Sequence, residues 1–586
     1  MKLRNGRPGR WVATIPAVVA FFALSASALA TVEEPRIAEP SAAFQAYQAR
    51  LELGRALTFG GALDHGLGMI PDPIAAELRS DTGTRQVLRG AFPTSYDLRA
   101  VGKLTGIKDQ GQYNTCWAFA ANASLESGLL PGEEHDFSED NMVLTAGFGS
   151  GDAYDNGGTY MMSAAYLARW GGPVDETSDA YGDGYTPSGL TATKHVQEVL
   201  YISGGTSGGD TSAIKSALMT YGAVATAMKW SQSSYSAAQD SYYYSGSAAV
   251  DHGVTIVGWD DSFSASRFAS APAGNGAWLV RNSWGGSWGD GGYFWVSYYD
   301  RHCARSTSLN AVFTRAEDSD NYDAIYQYDP YGEVALFGYG NTTAWMANVF
   351  TAKSSQAVTA VGFFTDVPGT TYSVYAAKTN SSGAPGTLKA KGSGTIATPG
   401  YHTVQLSSPW GVTKGGKFAV VVRVTAPGLT TPISVEMREY GYTNYASASA
   451  KQSYVRPSST ASWLDITKVS GGSTANVCLK AFAANDTQAP TTKASSLSVK
   501  RYKQATFKFR ISDPQPSCGT AKAKIQILKG TKVVKTVSVG NKSTNANSTY
   551  KWKATLAKGN YTWRVLATDA AGFAASTTTS AGLAIK

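Results

Sequence analysis

Helix-type hydrophobic periodicity is confined to the first 221 residues of this 586-residue chain, and that division constrains the fold most. Apolar residues recur at helical spacing in three segments: 116–130, 161–170 and 211–221. Later segments are short and bounded by Gly, Pro or Asn, which is typical of strands; the first four are 222–229, 253–259, 276–281 and 292–298. The chain is also too long for one hydrophobic core. We therefore predict a multidomain protein with an α+β domain followed by β domains.

Shifts in composition predict the limits of these domains. The predicted segments are a signal peptide at 1–30, a leader or propeptide at 31–91 with a helix at 44–57, an α+β domain at 92–310, a β-sandwich at 311–483, a polar linker at 484–496 and a small immunoglobulin-like β-sandwich at 497–586.

The amino terminus carries the pattern of a secretory signal. Basic residues precede an apolar stretch, and Ala28-Leu29-Ala30 forms a small-residue cleavage site. The apolar run is short for a membrane span of ~20 residues, and no second run of that length follows. An uncleaved membrane anchor is the alternative. We expect a secreted or extracellular protein, with association to a cell surface left open and no transmembrane anchor after cleavage.

Cysteine content limits the disulfide bridges that the chain can form, and charge indicates which partners it could bind. Four cysteines are too few for a disulfide scaffold in a secreted chain of this length. A bridge between Cys303 and Cys478 is an open possibility, and it would leave Cys518 unpaired.

The chain has a net charge of +8, yet the residues after 486 carry 17 Lys and Arg against two acids, Asp513 and Asp569, a balance of +15. This tail could bind anionic cell-wall polymers or could simply be solvated; we expect no nucleic acid.

The sequence around Cys116 suits an activated nucleophile. A thiol attacks as the thiolate, and a helix amino terminus stabilises that charge. Cys116 begins a predicted helix, and Gln110 lies six residues earlier on a Gly-containing loop. The Gln110 amide and the Cys116 backbone N–H could together hold a developing oxyanion.

Two downstream segments supply a base and a group to orient it. His252 begins an apolar strand between Asp251 and Gly253, where a general base would be held rigidly. Asn282 closes another strand and could accept the ring N–H of His252. Trp284, two residues later, could shield that hydrogen bond from water. Each segment alone has an ordinary structural explanation, but the three together in this order favour catalysis.

These segments carry a resemblance to a known family. The segments DQGQYNTCWAF (109–119), DHGVTIVGW (251–259) and NSWGGSWGDGGY (282–293) resemble the papain family of cysteine peptidases in order and spacing. FPTSYDLR (92–99) resembles the start of the mature domain, and DNGGTY (155–160) the family's Gly-Gly loop. The resemblance covers about 92–305. It implies a two-lobed fold with a substrate groove between the lobes.

The resemblance also implies roles for particular residues. The catalytic residues are Cys116, His252, Asn282 and Gln110, and no metal or cofactor is needed. Substrate would be bound by Gly157, Gly158, Thr159, Tyr160, Asp251 and Trp284, with the Gly158 backbone bonding the peptide and Thr159 and Tyr160 lining a side-chain pocket.

The chain departs from the family pattern at a usual disulfide and in its leader. Tyr113 and Asp155 stand where the family usually has a Cys pair, so that bridge is lost as a unit. The leader is too short for the family's full inhibitory prosegment, so its role is open.

The layout, with HGLGMIPDP (65–73) upstream, resembles secreted bacterial papain-type proteins with a lectin-like domain, implying a carbohydrate partner for 311–483. Trp345, Trp410 and Trp463 could stack on sugars, although packing is the simpler explanation.

We therefore predict a secreted cysteine endopeptidase that hydrolyses proteins or peptides and is held near a surface or glycan by its β domains. Two alternatives remain. One is a surface adhesin with an idle peptidase fold, and the other is a wall-peptide hydrolase of a different Cys-His fold.

Overall fold

The computed structural model describes residues 34–53, 65–76 and 92–586. The predicted signal peptide and the predicted cleavage site therefore lie outside the described residues, as do the end of the predicted leader helix and residues 77–91. Within the described ranges, no helix is both long and apolar enough to cross a membrane.

The α-helices all lie in the first 220 residues, as their periodicity predicted. They are α1 (Ala42–Glu52), α2 (Cys116–Leu129), α3 (Glu139–Thr145), α4 (Tyr160–Ala168) and α5 (Ser212–Thr220). Helix α3 is the one that the sequence analysis did not assign; Ser138 caps its amino terminus by accepting from the Asn141 N–H at 2.9 Å.

The strands of the leader and of the α+β domain follow the predicted positions closely after residue 222. They are β1 (Arg36–Ile37), β2 (Ser95–Asp97), β3 (Lys194–Ile202), β4 (Val224–Met228), β5 (Tyr235–Ser236), β6 (Ser241–Tyr242), β7 (His252–Asp260), β8 (Ala277–Arg281), β9 (Tyr293–Ser297) and β10 (Asn310–Asp318). Two cores result. One surrounds α2 and α4, and the other surrounds β7 and β8 with Trp259, Trp278 and Phe294. The domain is therefore two-lobed.

A β-sandwich follows. Its strands are β11 (Ala324–Tyr326), β12 (Ala335–Gly338), β13 (Thr343–Thr351), β14 (Gln356–Thr365), β15 (Thr370–Lys378), β16 (Lys389–Ile396), β17 (Gly400–Val412), β18 (Lys417–Thr425), β19 (Ile433–Glu436), β20 (Ser453–Arg456), β21 (Leu464–Asp465), β22 (Asn476–Val477) and β23 (Leu479–Asn485). The six-stranded sheet β16-β15-β18-β13-β20-β21 shares one core with strands β14 and β23 of the other sheet.

The two domains are joined by one continuous sheet. Strand β10 crosses the boundary predicted at 310/311 and pairs antiparallel with β3 of the first domain. Strand β17 of the sandwich pairs with the same β3 through Gly400–Leu200 and its neighbours. A Cβ at Gly400 would lie 1.9 Å from the Val199 carbonyl oxygen, so only glycine permits this approach.

The tail forms a second, smaller sandwich. Its strands are β24 (Thr491–Ala494), β25 (Leu497–Val499), β26 (Gln504–Ser512), β27 (Thr520–Lys529), β28 (Lys532–Ser543), β29 (Ala546–Lys553), β30 (Gly559–Asp569), β31 (Thr577–Thr579) and β32 (Ala581–Ile585). The sheets β29-β26-β24-β31 and β25-β32-β30-β27-β28 enclose one core. Strand β24 lies inside the predicted linker. The immunoglobulin-like assignment and the exact domain limits stay predictions.

The described part of the leader docks on the first sandwich. Strand β1 pairs with β12, and the buried Phe44 of helix α1 meets Tyr442 at 5.3 Å between ring centroids. Gln48 Nε2 donates to the Glu439 carboxylate at 3.1 Å. The sandwich thus positions the chain just before it enters the groove between the lobes.

Candidate active site

Cys116 is the first residue of helix α2 and is fully buried. Thr115, just before the helix, has non-helical backbone angles, and every residue from Cys116 to Ser127 is buried. The backbone N–H of Gly253 donates to Cys116 Sγ at 3.1 Å. The helix terminus and this N–H both favour negative charge on the sulfur.

His252 opens strand β7, one residue before the glycine that contacts the sulfur. Its Nε2 lies 2.8 Å from Asn282 Oδ1, at the end of β8. The Asn282 oxygen can only accept, so Nε2 carries the proton and Nδ1 is the basic nitrogen. Nδ1 is buried and has no hydrogen-bond partner within the described ranges. Trp284 stacks on the His252 imidazole, with 4.7 Å between the ring centroids.

Gln110 is also fully buried beside this group. Its Oε1 accepts from Ser283 Oγ at 2.6 Å, which fixes the amide so that Nε2 faces outward. Nε2 donates to the carbonyl oxygens of Tyr113 at 2.7 Å and Leu67 at 3.1 Å. Leu67 belongs to the leader, so a carbonyl of the leader takes the hydrogen bond predicted for an oxyanion.

Residues 65–70 of the leader, here called the strap, occupy the groove. The N–H groups of Gly68 and Met69 donate to the Asp251 carbonyl at 2.9 and 3.0 Å. Gly158 donates to the Gly68 carbonyl at 2.8 Å and accepts from the Ile70 N–H at 3.1 Å, forming a parallel bridge. The strap therefore uses the backbone groups that the sequence analysis assigned to substrate.

Two glycines let the strap lie this deep. A Cβ at Gly66 would stand 2.0 Å from the Tyr113 carbonyl oxygen, and one at Gly68 would stand 2.3 Å from the Asn114 carbonyl oxygen. Both of these carbonyl oxygens belong to the backbone, so they cannot move away by a change of side-chain rotamer. Gly68 also has φ +134°, a conformation that side chains disfavour. The Trp284 indole N–H donates to the Gly66 carbonyl at 3.2 Å.

The structure brings the predicted substrate residues together, but several of them face the groove with backbone groups and not with their side chains. Gly158 lies against Trp117, whose ring leaves no room for a Cβ, and Gly157 before it takes φ +66°. The Asp251 carboxylate turns away, pairs with Lys229 and accepts from the Trp230 N–H, so only its carbonyl faces the strap.

Thr159 and Tyr160 are buried beneath the groove. Thr159 caps helix α4, and its Oγ1 lies 3.1 Å from the hydroxyl of Tyr442 in the sandwich. The Tyr160 hydroxyl donates to the Thr226 carbonyl at 2.6 Å. Both the Met69 sulfur and the Tyr160 hydroxyl lie 3.1 Å from the position of a Cβ on Gly253. The buried Met69 side chain thus fills a space bordered by Tyr160.

Burial sets the charge state of the closed site. It raises the pKa of the Cys116 thiol to about 12 and lowers the pKa of His252 to about 4. The hydrogen bond from the Gly253 N–H lowers the pKa of Cys116, and the hydrogen bond to Asn282 raises the pKa of His252, but neither offsets the effect of burial. Beneath the strap, the pair at neutral pH is a thiol and a neutral imidazole.

The lost disulfide is replaced by aromatic packing. Tyr113 lies 4.5 Å from Tyr154 and 6.3 Å from Tyr181, and Asn114 Nδ2 donates to the Asp155 carbonyl at 3.2 Å. The bridge considered between Cys303 and Cys478 is absent. All four cysteines are free and buried; Cys303 packs in the core around β7 and β8, and Cys478 in the core around α2 and α4.

The aromatic residues considered for sugar stacking are occupied by neighbours. The Arg456 guanidinium lies 4.6 Å from the Trp345 ring and 4.2 Å from the Trp463 ring. Lys391 Nζ lies 5.2 Å from Trp410. These contacts favour the packing explanation.

Sequence reasoning missed Ser283 and the strap. Ser283 lies inside the quoted Asn-Ser-Trp segment, so its presence was visible, but its partner Gln110 is 173 residues away. The strap lies inside the quoted HGLGMIPDP, where two glycines separated by one residue were the available signal.

Comparison with known proteins agrees with this architecture. Residues 92–313 match the family model described as papain family cysteine protease, and residues 325–483 match the lectin-like domain model. A cathepsin L-like peptidase of Aedes aegypti is 33% identical over 228 residues, covering 37% of this chain and 62% of the relative. Human cathepsin L2 is 30% identical over 231 residues, covering 37% of this chain and 65% of the relative. The chain thus spans less than two thirds of these relatives.

Two solved structures extend over both domains. The crystal structure of the cysteine protease and lectin-like domains of Cwp84, a surface layer associated protein of Clostridium difficile, is 26% identical with a TM-score of 0.65, covering 78% of this chain and 99% of that one. A structure of Cwp84 after propeptide cleavage is 27% identical with a TM-score of 0.59, covering 67% and 99%.

Proposed function

We propose that this chain is a secreted cysteine endopeptidase made with its groove closed by the strap, because residues 92–313 match the papain family cysteine protease model and residues 325–483 match the lectin-like domain model. One observation carries the proposal. His252 Nε2 is held 2.8 Å from Asn282 Oδ1, while the next residue, Gly253, contacts Cys116 Sγ at 3.1 Å. A nucleophile (Cys116), a base (His252) and a neutral amide that orients the base (Asn282) are therefore next to one another.

Catalysis follows from these positions. Once the strap leaves, water and substrate enter, and a proton moves from Cys116 Sγ to His252 Nδ1. The thiolate attacks the scissile carbonyl, and Gln110 Nε2 with the Cys116 N–H holds the oxyanion. His252 then protonates the leaving amine, and the thioester that remains is hydrolysed by a water that His252 deprotonates. Asn282 keeps Nδ1 directed at the sulfur throughout, and Ser283 keeps the Gln110 amide in place.

The strap supports synthesis as an inactive precursor. Its carbonyl at Leu67 accepts from Gln110, and its backbone pairs with Gly158 and Asp251. A substrate needs the same groups. Cleavage or release of the leader must therefore precede activity.

Retention near a cell surface is the less direct part of the proposal. The tail after residue 486 carries a charge of +15, which suits anionic wall polymers. Cwp84, described as surface layer associated, shares both the protease and the lectin-like domain. Arg456 lies over one face of Trp345 and of Trp463, so a sugar partner for the lectin-like domain could not stack on those two faces.

The test is active-site labelling with a peptidyl epoxide that alkylates activated thiolates, read by intact mass and peptide mapping. After proteolytic removal of residues 31–91, we expect one label at Cys116 and none in the His252→Ala variant. Cys303→Ala, which removes a buried thiol outside the groove, is the matched control and should label fully. No label on a folded, processed chain would contradict the proposal and favour the adhesin. Release of peptides from purified wall but not from casein would favour the wall hydrolase.

A further inference from the structure

Three buried aspartates meet where the lectin-like domain joins the tail. Asp486 directly follows strand β23, Asp513 directly follows β26, and Asp569 is the last residue of β30. They are 5%, 3% and 5% exposed. One carboxylate oxygen of each lies within 4.8 Å of the others.

Local hydrogen bonds occupy part of each carboxylate. Asp486 Oδ2 accepts from the Cys518 N–H at 2.9 Å, and its Oδ1 from Gln488 N–H at 3.4 Å. Asp513 Oδ2 accepts from Ser517 Oγ at 2.6 Å. Asp569 Oδ1 accepts from two N–H groups of the following turn, at 2.8 and 2.9 Å.

The remaining oxygens lack any such partner. Asp513 Oδ1 and Asp569 Oδ2 are buried and accept no hydrogen bond from the described part of the chain. A buried acceptor without a partner is costly, and two belonging to neighbouring carboxylates are more so. These two oxygens therefore require a hydrogen-bond donor or a cation that the described residues do not supply.

The charge distribution sharpens this point. Asp513 and Asp569 are the only acids after residue 486, among 17 Lys and Arg. Ordinary surface pairing would distribute two acids among so many cations. Instead both converge on Asp486, and within the described residues no ion pair joins any of the three to a basic side chain.

We propose that these aspartates bind one Ca²⁺ ion and that the ion fastens the tail to the lectin-like domain. Calcium takes oxygen ligands at about 2.3–2.6 Å, so ligands on opposite sides of the ion stand about 4.6–5.2 Å apart. Three oxygens that all lie within 4.8 Å of one another are therefore spaced as ligands of one ion. Waters or backbone carbonyls complete the shell of six to eight ligands.

The surrounding contacts show that the site is built into a joint. A Cβ at Gly411, in β17 of the lectin-like domain, would lie 2.2 Å from the Cys518 carbonyl. The same residue, Cys518, donates its N–H to Asp486. Because Asp486 belongs to one side of the joint and Asp513 and Asp569 to the other, an ion held by all three restrains the angle between the domains.

The experiment uses the full-length chain, stripped of metal with a chelator and titrated with CaCl₂ by calorimetry and thermal denaturation. We expect one Ca²⁺ per chain, a higher Tm with Ca²⁺, and a weaker response to Mg²⁺, which prefers shorter bonds. Asp513→Asn and Asp569→Asn should each weaken Ca²⁺ binding at least tenfold. Asp320→Asn, which removes an exposed carboxylate outside the cluster, is the matched control and should change nothing.

If the aspartates bind Ca²⁺, the difference in Tm between the Asp→Asn variants and the unaltered chain should change sign when Ca²⁺ is removed; a purely structural role predicts no such change. In Ca²⁺, the Asp→Asn variants should melt below the unaltered chain because they lose the ion. In chelator they should melt at the same temperature or higher, because a buried negative charge is gone. Protease cleavage within 484–496 should slow when Ca²⁺ is added. Absence of Ca²⁺ binding by the folded chain, or full binding by the Asp513→Asn/Asp569→Asn double variant, would overturn the proposal.

Discussion

The groove of the peptidase domain and the joint before the tail both bury polar groups, but they satisfy them differently. In the groove, the strap supplies partners for two of these groups, since Leu67 accepts from Gln110 and Gly68 pairs with Gly158, while His252 Nδ1 has none among the described residues. At the joint, one buried oxygen of Asp513 and one of Asp569 have no partner among the described residues. Buried polar groups therefore indicate a displaceable chain segment in the groove and a bound cation at the joint.

The largest expected effect would come from removing the base in the groove. His252→Ala leaves no group to take the Cys116 proton, so kcat/KM of the processed chain should fall on the order of 10⁴- to 10⁶-fold. His135→Ala, which alters a histidine paired with Glu133 and Asp175 instead, should leave cleavage unchanged. Equal losses in both variants, with both chains folded, would remove His252 from the mechanism.

The next effect concerns the oxyanion. Gln110→Ala removes one donor, and kcat of the processed chain should fall about 10²- to 10³-fold, because that donor acts where charge develops. Gln112→Ala, two residues away and exposed, serves as the control. Ser283→Ala leaves the Gln110 amide unfixed and should give a smaller loss in kcat. A change in KM alone would indicate that Gln110 only binds substrate.

The sequence predicted the architecture and the members of the groove because each lies in a short segment with its own pattern. Cys116 begins a helix, His252 begins a strand and Asn282 ends one. Features that depend on distant pairs escaped. The joining of the two domains through β3 and β17 rests on Gly400 passing close to Val199. The aspartate cluster unites residues 27 and 56 positions apart in sequence, and nothing local to any of them signals it.

A third prediction tests whether the strap closes the groove. Gly66→Ala places a methyl group against the Tyr113 carbonyl, an overpacking that typically costs about 1–3 kcal/mol. Release of the strap, and with it epoxide labelling of Cys116 in the full-length chain, should rise roughly 5- to 150-fold. Gly209→Ala, where a Cβ meets nothing within 4 Å, is the control. After removal of the leader, the Gly66→Ala chain and the unaltered chain should label equally fast.

The smallest expected effect is an acid dependence of strap release. Beneath the strap, burial lowers the pKa of His252 to about 4, against an ordinary value of 6.5. The open state therefore binds the proton more readily, so stabilisation of the closed state is complete above about pH 6.5 and is lost as the pH falls toward 4. Between pH 7.5 and 5.5 the open fraction should rise about tenfold. His65, also in the strap, contributes a repulsion that lowers the pKa of His252 further. The measurement is the labelling rate of the full-length chain divided by that of the processed chain, which cancels the pH dependence of the reagent. A constant ratio would mean that His252 is already hydrated in the closed state, and the strap would then cover the groove without desolvating it.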